Sequence, residues 1–137
     1  MSPLLCNLPD PDPGVPLQMV LLRHTLPDGD GHLDWLIARE AVGGTLASLR
    51  LSHWPQSEGP DASVEITGDH DRTWLDRQGE VSGGRGEAIR IDQGALHTCR
   101  AVPSGFELEV RWVGAGSQSL LLSSSDGVAS LACLRVR

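Results

Sequence analysis

The sequence predicts a mainly β protein, a compact antiparallel β-barrel of about eight strands with one or two short helices. Three observations carry this reading. Short segments alternate apolar and polar residues, most clearly where Phe106, Leu108, Val110 and Trp112 fall on one face and Glu107, Glu109 and Arg111 on the other. Turn residues recur between such segments, as in DGDG, PSG, GAGS and SSDG. No segment sustains a helical apolar period.

In chain order, residues 1–16 are rich in Pro and Asp and read as an extended arm, followed by a single domain over 17–137. Strands are expected at 18–23, 32–38, 46–51, 63–66, 87–92, 96–102, 107–113, 118–123 and 129–136. The first two are joined by TLPDGDG, whose Pro, Asp and Gly have the chemistry of a hairpin loop. Helix is expected at 71–77 (DRTWLDR), capped by Asp69 or Asp71, with residues 35–42 an ambiguous competitor.

The chain has 137 residues, 39% hydrophobic and 21% charged, which suits one folded domain and argues against wholesale disorder. No apolar run approaches the roughly 20 residues of a membrane helix. The start MSPLLCNLPDPDPGVP has no basic leader, apolar segment or cleavage site, so a cytoplasmic monomer without membrane attachment is expected. Cys6, Cys99 and Cys133 show no metal-knuckle or redox spacing and read as reduced thiols, the latter two as small core residues. The net charge is −7, and all 11 basic residues are Arg. That balance excludes a general nucleic-acid binder, which needs a basic field, but leaves room for a local Arg cluster that grips one phosphate.

The residues that suggest chemistry are His24, His32, Asp34 and His70. In a strand, residues two apart project from the same face, so His32 and Asp34 share a side. His24 ends the preceding apolar run, and pairing of the two strands gathers three acid/base or metal-ligating groups within one hairpin. Neutral imidazole and carboxylate are the usual ligands of divalent transition metals such as zinc and manganese. The Gly-rich stretch 79–86 (GEVSGGRG) follows, with backbone N–H groups and Arg85 available to an anion; a plain strand connection is the competing reading. Asp28-Gly29-Asp30-Gly31 lacks the ligands of a calcium loop and reads as a turn. His53 and His97 have no chemical companions; Trp35 and Trp112 read as core, while Trp54 and Trp74 stay open between core and base stacking.

These two blocks resemble the 3′-phosphoesterase domain of bacterial DNA ligase D and its stand-alone relatives. That family carries a His, then a His-Tyr-Asp-x-Arg strand, an Asp-His pair leading to a glycine loop, and a closing Trp-Asp-x-Gly. His24 matches the first His, His32-Leu33-Asp34 the strand, Asp69-His70 the pair, Gly79 to Gly86 the loop, and Ile91-Asp92-Gln93-Gly94 the closing turn. The resemblance runs from about Met19 to Gly94.

It implies a β-barrel with a concave active site that uses manganese, or zinc or another transition metal, to remove a 3′-phosphate or a 3′-ribonucleotide during DNA break repair. Implied partners are a nucleic-acid 3′-end or a small phosphate ester, alongside repair ligases and polymerases. By the same resemblance His24, Asp34 and His70 are the metal ligands, and His32 contacts phosphate or acts as acid/base. Arg85, Arg72 and Trp74 stand with His32 as phosphate-side residues.

Two departures bear on activity. The family's Arg two residues beyond the strand Asp is Leu36 here, and its Tyr four residues after the second-block His is Trp74. The stretch between His24 and His32 is also longer than usual. Arg23, Arg72 and Arg85 are the nearby residues with the charge to replace the missing Arg. These departures motivate an alternative: a catalytically reduced module of the same fold that binds a metal or a nucleic-acid end.

Overall fold

The computed structural model describes residues 8–136. Cys6 and the first part of the expected arm lie outside these residues. Leu8 packs against the core and Pro9 is buried, so this part of the arm lies on the barrel.

Among the described residues nine strands form one antiparallel sheet: β1 (Leu17–Thr25), β2 (Gly31–Ala38), β3 (Leu46–Leu51), β4 (Ala62–His70), β5 (Gly79–Glu80), β6 (Glu87–Val102), β7 (Gly105–Trp112), β8 (Gly116–Ser125) and β9 (Val128–Val136). The order β1-β2-β3-β4-β9-β8-β7-β6 is closed by pairing of β1 with β6, giving a barrel-like ring of eight strands. The short β5 hangs on β6 outside this ring. The mainly β expectation therefore holds.

Expected strands 87–92 and 96–102 prove to be one strand, β6, of 16 residues. The segment read as a closing turn, Ile91-Asp92-Gln93-Gly94, lies inside it. Residues Glu87–Leu96 pair with β1, the first two of them also with β5, and Gly94–Val102 pair with β7; the register against β1 shifts where Leu21 faces Asp92 and Leu22 faces Arg90. The extra residue bends the strand as a β-bulge does, and Gly94 allows the close approach that follows. A Cβ there would lie 2.0 Å from the Arg111 carbonyl oxygen. Asp92 does make a turn, though not its own: its carboxylate accepts from the N–H groups of Gly114 and Ala115 in the β7–β8 connection.

Among the described residues helix is reduced to a single 3-10 turn, Arg72–Leu75, with Asp71 accepting from the Thr73 N–H at its start. DRTWLDR offers only Trp74 and Leu75 as adjacent apolar residues, too few to bury a longer helix. The competitor at 35–42 is strand through Ala38.

Two apolar layers result. The barrel interior holds Leu17, Met19 and Leu21 of β1, Leu33, Trp35 and Ile37 of β2, and inward residues of the remaining ring strands. Trp54, left open by the sequence, plugs this core: its ring meets Trp35 at 5.3 Å and Trp112 at 5.2 Å, both edge to face. The indole N–H groups of Trp54 and Trp112 both donate to the buried Gln118 Oε1. Cys99 and Cys133 are free thiols, and burial pushes Cys99 up to about 11, which keeps it protonated and inert.

The second layer lies on the opposite face of β1 and β2, where Val20, Leu22, Leu36, Ala38, Leu46 and Ala88 are covered by Leu75, Trp74 and Val81. β1 and β2 are thus buried on both sides, which is why they read as near-continuous apolar runs.

Gly94→Ala should destabilise the fold by about 1–3 kcal/mol through overpacking against β7. Gly68→Ala, where an added Cβ meets nothing within 4 Å, should be close to neutral. Denaturant midpoints of the two variants check this.

Candidate functional site

The β1–β2 hairpin sets His24 directly opposite His32, with Asp34 two residues further along β2 opposite Leu22. The connecting loop is the expected hairpin turn. Asp28 accepts from the Asp30 N–H, and Leu26 and Asp30 close the loop through a backbone bond. His24, His32 and Asp34 share their face of the hairpin with the second apolar layer, so the site grows out of that layer's polar end.

Their nearest atoms form a small triangle. His24 Nδ1 lies 3.2 Å from His32 Nε2 and 3.8 Å from Asp34 Oδ2, and His32 Nε2 lies 3.3 Å from Asp34 Oδ2. His24 Nε2 is 2.6 Å from the Arg85 carbonyl oxygen. A carbonyl only accepts, so Nε2 carries the proton and Nδ1 presents its lone pair to the triangle in the neutral ring. Burial lowers the His32 pKa from its ordinary value; the Asp34 carboxylate opposes the shift, while Arg50 and His24 add to it. His32 is therefore a neutral donor at neutral pH.

Asp34 is only 6% exposed, and its Oδ1 is buried without a hydrogen-bond partner. Such an oxygen is costly unless something cationic or protic meets it. Ligands held about 2.0–2.2 Å from one ion stand roughly 3–3.5 Å apart, close to the edges of this triangle. Two imidazoles, one carboxylate and a carbonyl fixing one ring's tautomer suit a divalent transition metal. Among the described residues this is the one set of three His, Cys, Asp or Glu groups close enough to share an ion.

His32, not His70, completes that triangle. His70 ends β4 and lines the same cavities from across the site, its Nδ1 3.2 Å from the Gly68 carbonyl. That bond places the ring proton on Nδ1 and leaves Nε2 as the basic atom of the neutral ring. The preceding Asp69 serves the scaffold. Its carboxylate takes two bonds from Arg39, at 2.7 and 2.9 Å, and one from Thr45, tying the end of β4 to the β2–β3 loop. The Arg39 guanidinium holds Asp69 down at about 2.

Two cavities meet at the triangle, sharing His24, Asp34, His70, Val81 and Arg85. The larger, of about 680 Å³, also touches His32 and Arg50; the smaller, of about 300 Å³, touches Trp74 and Arg77. The Arg77 guanidinium sits 4.2 Å over the Trp74 ring centre, so that indole is both lid of the second apolar layer and wall of the cavity.

Residues expected on the phosphate side divide. Arg85 lines both cavities, but its guanidinium donates to the Ser82 carbonyl and hydroxyl in its own loop. That loop offers the Arg85 carbonyl to His24, whereas the sequence suggested N–H groups offered to an anion. Gly86 makes the approach possible: a Cβ there would stand 1.9 Å from the Thr25 carbonyl oxygen. Arg72 lines neither cavity. Its guanidinium is taken up by the carbonyls of Glu40, Ala41 and Gly43 and by the Gln18 amide oxygen, so it fastens the β2–β3 loop. Leu36 is fully buried in the second layer.

Sequence reasoning missed Arg50. It lies on β3 directly opposite Asp34, its Nε 3.8 Å from Asp34 Oδ1, and it lines the larger cavity. The segment LASLRL reads as an ordinary alternating strand, and only the β2–β3 register brings its Arg to the site.

The chain matches none of the models of known protein families, and no curated protein matches it.

Asp69 gives a pH signature. Its folded pKa of about 2 lies below the ordinary 3.8, so its contribution to stability is complete above 3.8 and is lost as pH falls through about 2. Asp69→Asn should flatten the acid limb of the stability–pH profile in that window, measured by chemical denaturation from pH 5 downwards.

Proposed function

We propose that this protein is a metal-dependent phosphoesterase of the DNA ligase D end-processing type. In this reading His24, His32 and Asp34 hold a divalent ion, manganese or zinc by their donor chemistry. The observation that carries it is the triangle of two imidazoles and a buried carboxylate, one of whose oxygens has no hydrogen-bond partner. Among the described residues no helix is long and apolar enough to cross a membrane.

An ion bound there would polarise the phosphoryl oxygens and lower the pKa of water. The chain's own residues supply the rest. His24 is held in its ligating tautomer by the Arg85 carbonyl. His70, which lines the same cavities, would use Nε2, the nitrogen not bonded to the Gly68 carbonyl, as proton acceptor for the attacking water. Arg50 brings positive charge beside Asp34. The larger cavity has room for a phosphate ester and its first substituent, and Trp74 walls the adjoining one. Substrates of this shape include 3′-phosphorylated or 3′-ribonucleotide-ended DNA, which makes break repair and its ligase and polymerase partners the expected setting.

The second reading, a reduced module that binds a metal or a nucleic-acid end without turnover, draws on Leu36. The position that resembles the family's phosphate-binding Arg is built into an apolar layer.

Calorimetric titration with Mn²⁺ should show binding that weakens at least about 100-fold in His24→Ala and in His32→Ala. His70→Ala should keep metal affinity within about threefold while losing roughly 10²–10⁴ in turnover of 3′-phosphorylated primers. Unchanged Mn²⁺ binding in both His24→Ala and His32→Ala would overturn the metal assignment. Binding of primers by the wild-type protein without any turnover would favour the module.

A further inference from the structure

Arg50 and Asp34 form a mismatched pair. They face each other across the β2–β3 ladder, yet Arg50 Nε and Asp34 Oδ1 are 3.8 Å apart, too far for a hydrogen bond. Both atoms are buried, and neither has any hydrogen-bond partner. A guanidinium and a carboxylate this close ordinarily settle into a charge-assisted bond of 2.7–2.9 Å. Here each is left with unmet demand beside the same cavity of about 680 Å³, which also receives His24 and His32. Asp34 turns its other oxygen, Oδ2, to the His24 and His32 rings, and a carboxylate so placed with one oxygen unmet calls for a cation. An unmet cationic donor beside it calls for an anion.

We propose that Arg50 is the oxyanion-holding residue of this site, binding a phosphate oxygen next to an ion held by His24, His32 and Asp34. The inference rests on the metal reading above and adds the residue that supplies the anion's partner. Position 36, where the resembling family carries Arg, is closed to that role because Leu36 is fully buried in the second apolar layer. Arg72 and Arg85 are occupied by carbonyl groups of their surroundings. Arg50 reaches the same cavity from the neighbouring strand, with its head group half in solvent and its Nε inside. A planar fork anchored at the strand and open at the tip can meet two oxygens of a tetrahedral anion. Its charge also limits how much negative charge Asp34 and a bound anion place in one cavity.

The test compares the wild-type protein with Arg50→Lys and Arg50→Met in two calorimetric titrations. One adds inorganic phosphate to protein saturated with Mn²⁺; the other adds inorganic phosphate to metal-free protein. Mn²⁺ binding is measured separately, and thermal unfolding confirms that each variant is folded. Arg50→Met should weaken phosphate binding about tenfold or more in both titrations, with Arg50→Lys intermediate, because a point charge replaces part of the fork. Mn²⁺ affinity should hold or rise, since a positive neighbour of the ligands is removed. Phosphate affinity equal to wild type in Arg50→Met would overturn the assignment of Arg50, whether or not Mn²⁺ binds. Absence of Mn²⁺ binding in the wild-type protein, with phosphate binding still dependent on Arg50, would overturn the metal reading and leave Arg50 as an anion site.

Discussion

The register of the β1–β2 hairpin is the constraint on which the rest depends. It sets His24 across from His32 and puts Asp34 on the same face, and the next ladder sets Arg50 across from Asp34. Register is fixed by burial. Met19, Leu21, Leu33, Trp35 and Ile37 must point into the barrel, and a slip of one residue would send them all outward. Because the opposite face is also apolar, from Val20 to Leu36, slippage is penalised on both sides of the hairpin. The polar site is thus specified by the hydrophobic pattern around it.

The same hairpin explains the cover. A strand pair buried on both faces needs a second layer, supplied by the 3-10 turn, Val81 and the glycine loop. Gly86 lets that loop rest on the end of β1, and the contact brings the Arg85 carbonyl to His24. A packing requirement therefore also selects the histidine tautomer. Arg72 and Asp69 anchor the opposite side of the site by fastening the β2–β3 loop to the chain that leads into the cover.

What could be read in advance was local. The hairpin and its triad lie within one short stretch, where strand alternation and turn chemistry act on neighbouring residues. His70 was legible through its place beside Asp69, although its position across the cavity was not. Arg50 escaped because its importance comes from a register set across a connection of irregular chain, and nothing in LASLRL marks the Arg as special. The Arg85 carbonyl's contact with His24 was not legible in the glycine loop, because Gly content signals close approach but not whether a carbonyl or an N–H is presented. The division of β6 into two strands failed for a related reason, since Gly94 marks a bend where β7 comes close, within a strand that continues.

The central claim is that His24, His32 and Asp34 together bind one ion. Anomalous scattering from crystals of the protein grown with Mn²⁺ tests it most directly. The account predicts a single strong peak bonded to His24 Nδ1, His32 Nε2 and an Asp34 carboxylate oxygen, with His70 across the cavity. A peak elsewhere, or none at this triangle with Mn²⁺ in large excess, would contradict it.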